Sequence, residues 1–76
     1  MSDTDLQNYY DELAEHRERA ALFFENVRIH AEVLIKCLII ADDFGAKYHA
    51  LEARKNLGLA YNIIQNTLYR NSGSNA

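Results

Sequence analysis

Residues 33–46, VLIKCLIIADDFGA, carry the strongest structural signal in this 76-residue chain. Residues 33–41 are apolar except for Lys36, and they continue a helical pattern that begins near the amino terminus. The DDFG segment at residues 42–45 then places two helix-disfavouring aspartates before a glycine that can adopt the left-handed conformation. The sequence therefore predicts a turn at residues 42–45 between two helices.

Before this turn, apolar side chains recur at alternating spacings of three and four residues, which is the heptad pattern of packed helices. The first row is interrupted once by an arginine and contains Leu6, Tyr10, Leu13, Arg17, Ala20, Phe24, Val27, Ala31, Leu34, Leu38 and Ala41. A second row beside it contains Tyr9, His16, Phe23, His30 and Cys37. We expect one helix over about residues 4–41, and the sequence leaves open a break near residues 15–17.

After the turn, the same spacing continues with mostly small side chains, which allow two helices to approach closely. The row contains Ala46, Ala50, Ala53, Leu57, Ala60, Ile64 and Thr67. We expect a second helix over about residues 46–69. The fold class is therefore an all-α helical hairpin, with a single domain at residues 1–70 and a disordered polar tail at residues 71–76.

The two expected helices differ in length, at about 57 Å and about 36 Å for a rise of 1.5 Å per residue. The shorter helix leaves the beginning of the longer one uncovered. A chain of this size is marginally stable alone, and its single cysteine, Cys37, excludes an intrachain disulfide. The sequence therefore predicts that hairpins assemble into a homo-oligomeric helical bundle.

Charge is divided unevenly, with −6 on residues 1–43 and +3 on residues 44–76. Opposite charges favour antiparallel or oligomeric pairing, or the second half offers a local anion site. The acidic amino terminus resembles no secretory signal, and the apolar run at residues 33–41 is shorter than a membrane span. We expect a cytoplasmic protein without a membrane partner, in the host cytoplasm if the source is viral.

Catalytic and metal-binding motifs do not pass a test of spacing. The residues three positions before the histidines are Leu13, Val27 and Ala46, so the Glu-x-x-His pattern of di-iron bundles is missing. Cys37 lies in the most apolar stretch, where a thiol behaves as a small hydrophobic side chain. We predict a protein that is not an enzyme, with no catalytic residue, metal or cofactor.

Aromatic and basic side chains are the remaining binding features. Tyrosine suits both protein interfaces and nucleobase stacking, and the pair Tyr9 and Tyr10 points in two directions on one helix. On the second helix, Lys47, Arg54 and Tyr61 form one row with Lys55 beside it and His49 near the helix start, an arrangement that can hold a phosphate. Oligomer packing for the tyrosines and a solvated face for the cations remain the alternative interpretations.

The order of these elements resembles a family, the small helical phage proteins that sequester the cyclic oligonucleotide signals of bacterial CBASS immunity. The segment LEARKNLGLA at residues 51–60 matches the family's second-helix pattern at Ala53, Leu57 and Ala60. It lacks the Thr-Lys and Glu-Glu pairs of that pattern, and Ile63 stands where a tryptophan is usual. The resemblance implies a homo-oligomer that binds cyclic dinucleotides or trinucleotides between subunits.

By this resemblance, Tyr9 or Tyr10 would stack on a base, while Arg28, Arg54 or Lys55 from neighbouring subunits would contact phosphates. The expected function is therefore that of a phage counter-defence sponge. One alternative is an inhibitor that docks a helical face on a host enzyme or defence complex. A second alternative is an RNA-binding helical hairpin, although an acidic first helix disfavours long nucleic acid as a partner.

Overall fold

A computed structural model describes residues 2–70, which contain only helices and one turn. Helix α1 spans Asp3–Ile39 and helix α2 spans Asp43–Ile63, and a π-helical segment, Ile64–Tyr69, continues α2. The prediction of an all-α hairpin is confirmed. Within residues 2–70, no helix has an apolar stretch long enough to cross a lipid bilayer. The expected disordered tail at residues 71–76 lies outside the described residues.

Helix α1 is continuous, so the break considered near residues 15–17 is wrong. The side chain of Ser2 accepts a hydrogen bond from the backbone N–H of Asp5 and caps the first turn. Asp3 lies in this turn, where negative charge favours the amino terminus of a helix. Because no glycine or proline occurs between this cap and Ile39, nothing in the sequence interrupts the helix.

The turn occupies residues 40–42, not the predicted residues 42–45. Ala41 adopts the left-handed conformation with φ 59°, and it is followed by a reversal of the chain. The backbone N–H of Asp42 donates to the carbonyl of Cys37 at 2.8 Å, and that of Ala41 donates to Leu38 at 3.3 Å. This pair of bonds is the Schellman motif, which satisfies the last carbonyls of a helix.

Gly45 belongs to the first turn of α2, and its role is close packing instead of a left-handed cap. The Asp42 side chain accepts a hydrogen bond from the Gly45 N–H at 3.0 Å and caps α2. A Cβ atom at residue 45 would lie 2.9 Å from the Sγ atom of Cys37 and would also collide with the Asp42 carboxylate. The prediction failed because an aspartate that disfavours a helix interior is also a strong amino-terminal cap.

Contact between the helices is made by an inner row of side chains that are buried or half-buried. On α1 the inner row contains Tyr9, Leu13, His16, Ala20, Phe23, Val27, His30, Leu34 and Cys37. On α2 it contains Ala46, His49, Ala53, Asn56, Ala60, Ile63 and Thr67. The predicted rows are therefore only half correct, because each helix is rotated from the expected orientation by about one residue.

The displaced members of the predicted rows form an outer row, which is mainly exposed. It contains Tyr10, Arg17, Phe24, Ala31 and Leu38 on α1, and Ala50, Leu57 and Ile64 on α2. Helices α1 and α2 run antiparallel, and each residue turns a helix by about 100°. The outer-row positions, each of which follows an inner-row residue by one, therefore lie on the same side of the hairpin in both helices. The outer row therefore makes one broad face of the hairpin largely apolar.

Helix α1 extends beyond the end of the second helix. Asn26 contacts Asn56 across the interface, and this register places Tyr69 opposite about residue 13 of α1. Residues 3–12 form an amino-terminal extension, in which Leu6 and Tyr10 are 41% and 55% exposed. The longest dimension of the molecule is 58 Å, whereas α2 and the π-helical segment together span about 40 Å.

Replacing Ala41 with glycine should stabilise the hairpin. The left-handed conformation costs an L-residue about 1–2 kcal/mol, and part of this gain is offset by the greater freedom of glycine in the unfolded chain. We expect Ala41→Gly to raise the free energy of unfolding by about 1 kcal/mol in urea titrations at fixed protein concentration. A loss of stability would contradict the Schellman geometry.

Gly45→Ala and Gly58→Ala should have opposite effects on stability. An added Cβ at residue 45 displaces the Asp42 cap and crowds Cys37, so we expect a loss of about 1–3 kcal/mol. No atom lies within 4 Å of a Cβ built on Gly58, so the better helix propensity of alanine should add up to about 1 kcal/mol. Parallel urea titrations measure both values, and equal shifts in one direction would refute the proposed packing at the turn.

Candidate functional site

Two histidines meet in the inner row near the turn. The Nδ1 atoms of His30 and His49 are 2.8 Å apart, so one ring donates a hydrogen bond to the other. The ring of Tyr48 packs edge-on against both, with centroid distances of 4.9 Å to His49 and 6.3 Å to His30. The two histidines are half-buried, and their polar contact joins α1 to α2.

Two asparagines form a second polar contact, at mid-length of the hairpin. The Nδ2 atom of Asn26 donates to Oδ1 of Asn56 at 3.2 Å, and Nδ2 of Asn56 donates to the carbonyl of Glu52 at 2.8 Å. Asn56 is 8% exposed, which makes it the buried polar residue of α2. A polar pair inside an apolar helix interface favours one register over its alternatives.

Sequence reasoning placed His49 near the basic row but missed its contact with His30, and it missed Asn56 entirely. His49, Asn56 and Ile63 repeat every seven positions beside the alanine row, and this spacing was the available signal. On α1, the Nδ1 atom of His16 is also buried, and it has no hydrogen-bond partner among the described residues. The inner row therefore carries all three histidines of the chain.

Cys37 is buried beside the turn, where its thiol faces Gly45. Burial raises the pKa of the Cys37 thiol, and the nearby Asp42 carboxylate raises this pKa further through its charge and a hydrogen bond. A thiol with a raised pKa is a poor nucleophile at neutral pH. Residues 2–70 hold no cluster of three or more His, Cys, Asp or Glu side chains that could bind a metal ion.

The predicted tyrosine pair lies on the amino-terminal extension and at its border with the hairpin body. The rings of Tyr9 and Tyr10 meet edge-on with centroids 5.6 Å apart. Tyr9 belongs to the inner row and is half-buried, whereas Tyr10 belongs to the outer row and is exposed. Tyr10 therefore offers the more accessible ring for a ligand.

Arg28 is already engaged by two carboxylates of its own helix. Its guanidinium donates to Glu25 and, at 2.7 Å, to Glu32. The hydrogen bond to Arg28 lowers the pKa of Glu25, and the hydrogen bond and charge of Glu25 raise the pKa of Arg28. A phosphate would have to compete with both glutamates, so Arg28 is the least available of the predicted cations.

Arg54 and Lys55 border an open depression on the outward face of α2. The depression is lined by Leu51, Glu52, Arg54, Lys55, Gly58, Leu59 and Asn62. The Nζ atom of Lys55 lies 3.8 Å from a carboxylate oxygen of Glu52, and its side chain remains 67% exposed. Gly58 leaves space at the floor, because no atom lies within 4 Å of its missing Cβ.

The six predicted binding residues do not converge within one chain. Eighteen residues of α1 separate Tyr10 from Arg28, which corresponds to about 27 Å along the helix. Arg54 lies opposite Arg28 by the register of the asparagine pair, so it is equally far from the tyrosines. Tyr61 is 58% exposed and lies two turns beyond Arg54 on the same helix. A ligand that contacts both Tyr10 and Arg54 must therefore bridge two chains.

The histidine contact should appear as an interaction energy between His30 and His49. We expect single and double alanine substitutions to be non-additive by about 0.5–1.5 kcal/mol in urea titrations. The matched control is the pair His16 and His49, which lie about 21 Å apart along the hairpin and should give additive losses. Additive losses for His30 and His49 would show that their contact is energetically silent.

Comparison with known proteins identifies no relative, because no protein-family model, no curated protein and no solved structure matches the chain. The likeness to the phage sponges therefore stays a prediction from the residues that carry it.

Proposed function

We propose that this chain is a non-enzymatic binding protein that acts as a homo-oligomer and sequesters a cyclic oligonucleotide between its subunits. The observation that carries the proposal is the depression over Gly58, where two cations border an apolar surface. Nucleotides combine phosphates, which favour cations, with flat bases, which favour apolar contact. The role we propose is that of a phage counter-defence sponge.

Arg54 and Lys55 are the groups that we assign to the phosphates of the ligand. Both belong to the depression, and neither is held by two carboxylates as Arg28 is. A guanidinium can donate two parallel hydrogen bonds to one phosphate, and an exposed ammonium adds a point charge. Leu51 and Leu59 supply apolar surface for the face of a base.

We assign the tyrosines to the same ligand from a neighbouring subunit. Tyr10 is exposed, and it lies far from the depression on α2 of its own chain. We therefore assign it to the depression of a neighbouring chain. Tyr61 adds an exposed aromatic ring on the row of Arg54. Stacking on an aromatic side chain contributes about 1–3 kcal/mol per base and tolerates any base identity.

The outer row supports self-association. Leu38, Leu57 and Tyr10 are 62%, 48% and 55% exposed in a single hairpin, and large apolar side chains along one face favour burial against another chain. Long nucleic acid is a poor partner because the chain carries a net charge of −3 and its first half is acidic. This charge also leaves the RNA-binding hairpin with the least support among the alternatives.

A protein-binding inhibitor is the second candidate, and the tip of the hairpin favours it. Ile39, Ile40 and Phe44 are 77%, 72% and 92% exposed around the turn. Three large apolar side chains on a protruding turn form a compact anchor for a groove on another protein. Retention of one host protein on immobilised hairpin, lost in Phe44→Asp, would favour this candidate over the sponge.

Calorimetric titration with a panel of cyclic dinucleotides and trinucleotides tests the leading proposal. We expect at least one member to bind, and we expect Arg54→Ala combined with Lys55→Ala to weaken that binding at least about tenfold, because charged hydrogen bonds contribute about 1.5–3 kcal/mol each. The absence of measurable binding by the unmodified protein to every member of the panel would refute the proposed sponge function.

Two further variants separate a ligand contact from a general charge effect. Arg19→Ala removes an exposed cation of α1 that does not line the depression, and it should leave the affinity unchanged. Arg28→Ala should have a smaller effect than the double variant, since Glu25 and Glu32 already occupy this guanidinium. Equal losses in all three variants would assign the effect to net charge instead of the depression.

A further inference from the structure

We propose that a second copy of this chain packs antiparallel on the outer row, so that the amino-terminal extension of each copy covers the turn-proximal half of the other. This arrangement rests on the proposed self-association and specifies its partner, its face and its direction. Three features of the hairpin support it: the shape of the outer row, the length of the extension and the distribution of charge.

One of the two broad faces is the more apolar. The outer row makes its face apolar apart from Arg17, whereas the opposite flank mixes apolar side chains with polar ones and contains Glu12, Arg19, Asn26, Val33, Ile40, Glu52, Leu59 and Asn66. The two longest dimensions of the hairpin are 58 and 24 Å between Cα atoms, and a standard interface needs about 800 Å² from each partner. One broad side of the hairpin is therefore large enough for a second copy.

The extension needs a surface that residues 2–70 of its own chain do not offer. Residues 3–12 project beyond the second helix with Leu6 and Tyr10 exposed, while Leu38 is exposed near the turn at the other end. In a parallel pair the two extensions would meet only one another. In an antiparallel pair each extension lies beside the turn-proximal outer row of the partner, so both exposed ends are covered.

Charge also selects the antiparallel direction. Residues 3–18 carry a net charge of −5, whereas residues 43–56, the turn-proximal part of α2, carry +1 from Lys47, Arg54 and Lys55 against Asp43 and Glu52. A parallel pair places acidic segment beside acidic segment, whereas an antiparallel pair places each acidic segment beside the basic part of the partner. Complementary charge fixes the direction of pairing because like charges at close range repel.

A matched pair of leucine substitutions tests the face. Leu38 belongs to the outer row and Leu22 lies on another side of α1, and they are similarly exposed, at 62% and 66%. We expect Leu38→Glu to weaken the dimer at least tenfold in sedimentation equilibrium and Leu22→Glu to leave it unchanged. Circular dichroism at the same concentrations checks that both variants keep their helices. Equal effects of the two substitutions, or a monomeric unmodified protein, would overturn the proposal.

The distance between spin labels tests the direction. In a Cys37→Ala background, a label at Asn8→Cys should show a distance of about 40–50 Å between the two copies, because antiparallel chains hold these positions at opposite ends. A label at Ala21→Cys, near the middle of α1, should show a short distance of roughly 25 Å or less in the same dimer. A short distance for the Asn8 label would indicate a parallel pair and refute the arrangement.

The outcomes distinguish this inference from the proposed function. An antiparallel dimer that binds no cyclic oligonucleotide would support the inference and refute the proposed function. A nucleotide-binding oligomer with a short Asn8 distance would support the ligand and overturn the inference.

Discussion

Two helices can cover only one side of each other, and the rest of this structure depends on that constraint. The inner row of α2 consists largely of small side chains, so the helices approach closely and enclose little volume. The buried apolar residues of the hairpin are Leu13, Ala20, Cys37, Ala46 and Ala60. Such a thin interior contributes little hydrophobic free energy, which leaves the large side chains of the outer row as the main unused source of stabilisation.

The sequence predicts the helices well and their orientation poorly, for one physical reason. Apolar rows lie side by side on α1, and periodicity alone does not reveal which row meets α2 and which faces outward. Leu57 was expected inside because it is apolar, yet Asn56 takes the inner position because Asn26 and a backbone carbonyl satisfy its amide. A polar side chain can occupy an interface when its partner comes from the other helix, and that partner is invisible to a one-helix pattern.

The turn shows a similar limit of local reasoning. Gly45 suggested a left-handed cap, but the structure assigns that conformation to Ala41 and uses glycine for contact with Cys37 and Asp42. The candidate site was predicted only in part, and the reason is comparable. Exposure of Arg54 and Lys55 follows from their position on the helix, whereas the capture of Arg28 by Glu25 and Glu32 depends on rotamers that spacing permits but does not require.

The polar contacts and the apolar outer row specify different parts of the assembly. The histidine and asparagine contacts lie between α1 and α2, where they favour a single register within the hairpin. The outer row has no such polar pair, so apolar contact alone would allow neighbouring copies to slide or reverse. Direction must then come from charge, and the acidic residues 3–18 at one end of the hairpin and the basic side chains of Lys47, Arg54 and Lys55 nearer the turn supply it. The uneven charge of the chain is therefore a structural feature of the proposed assembly, and the same basic segment that selects an antiparallel neighbour borders the depression that we assign to phosphate.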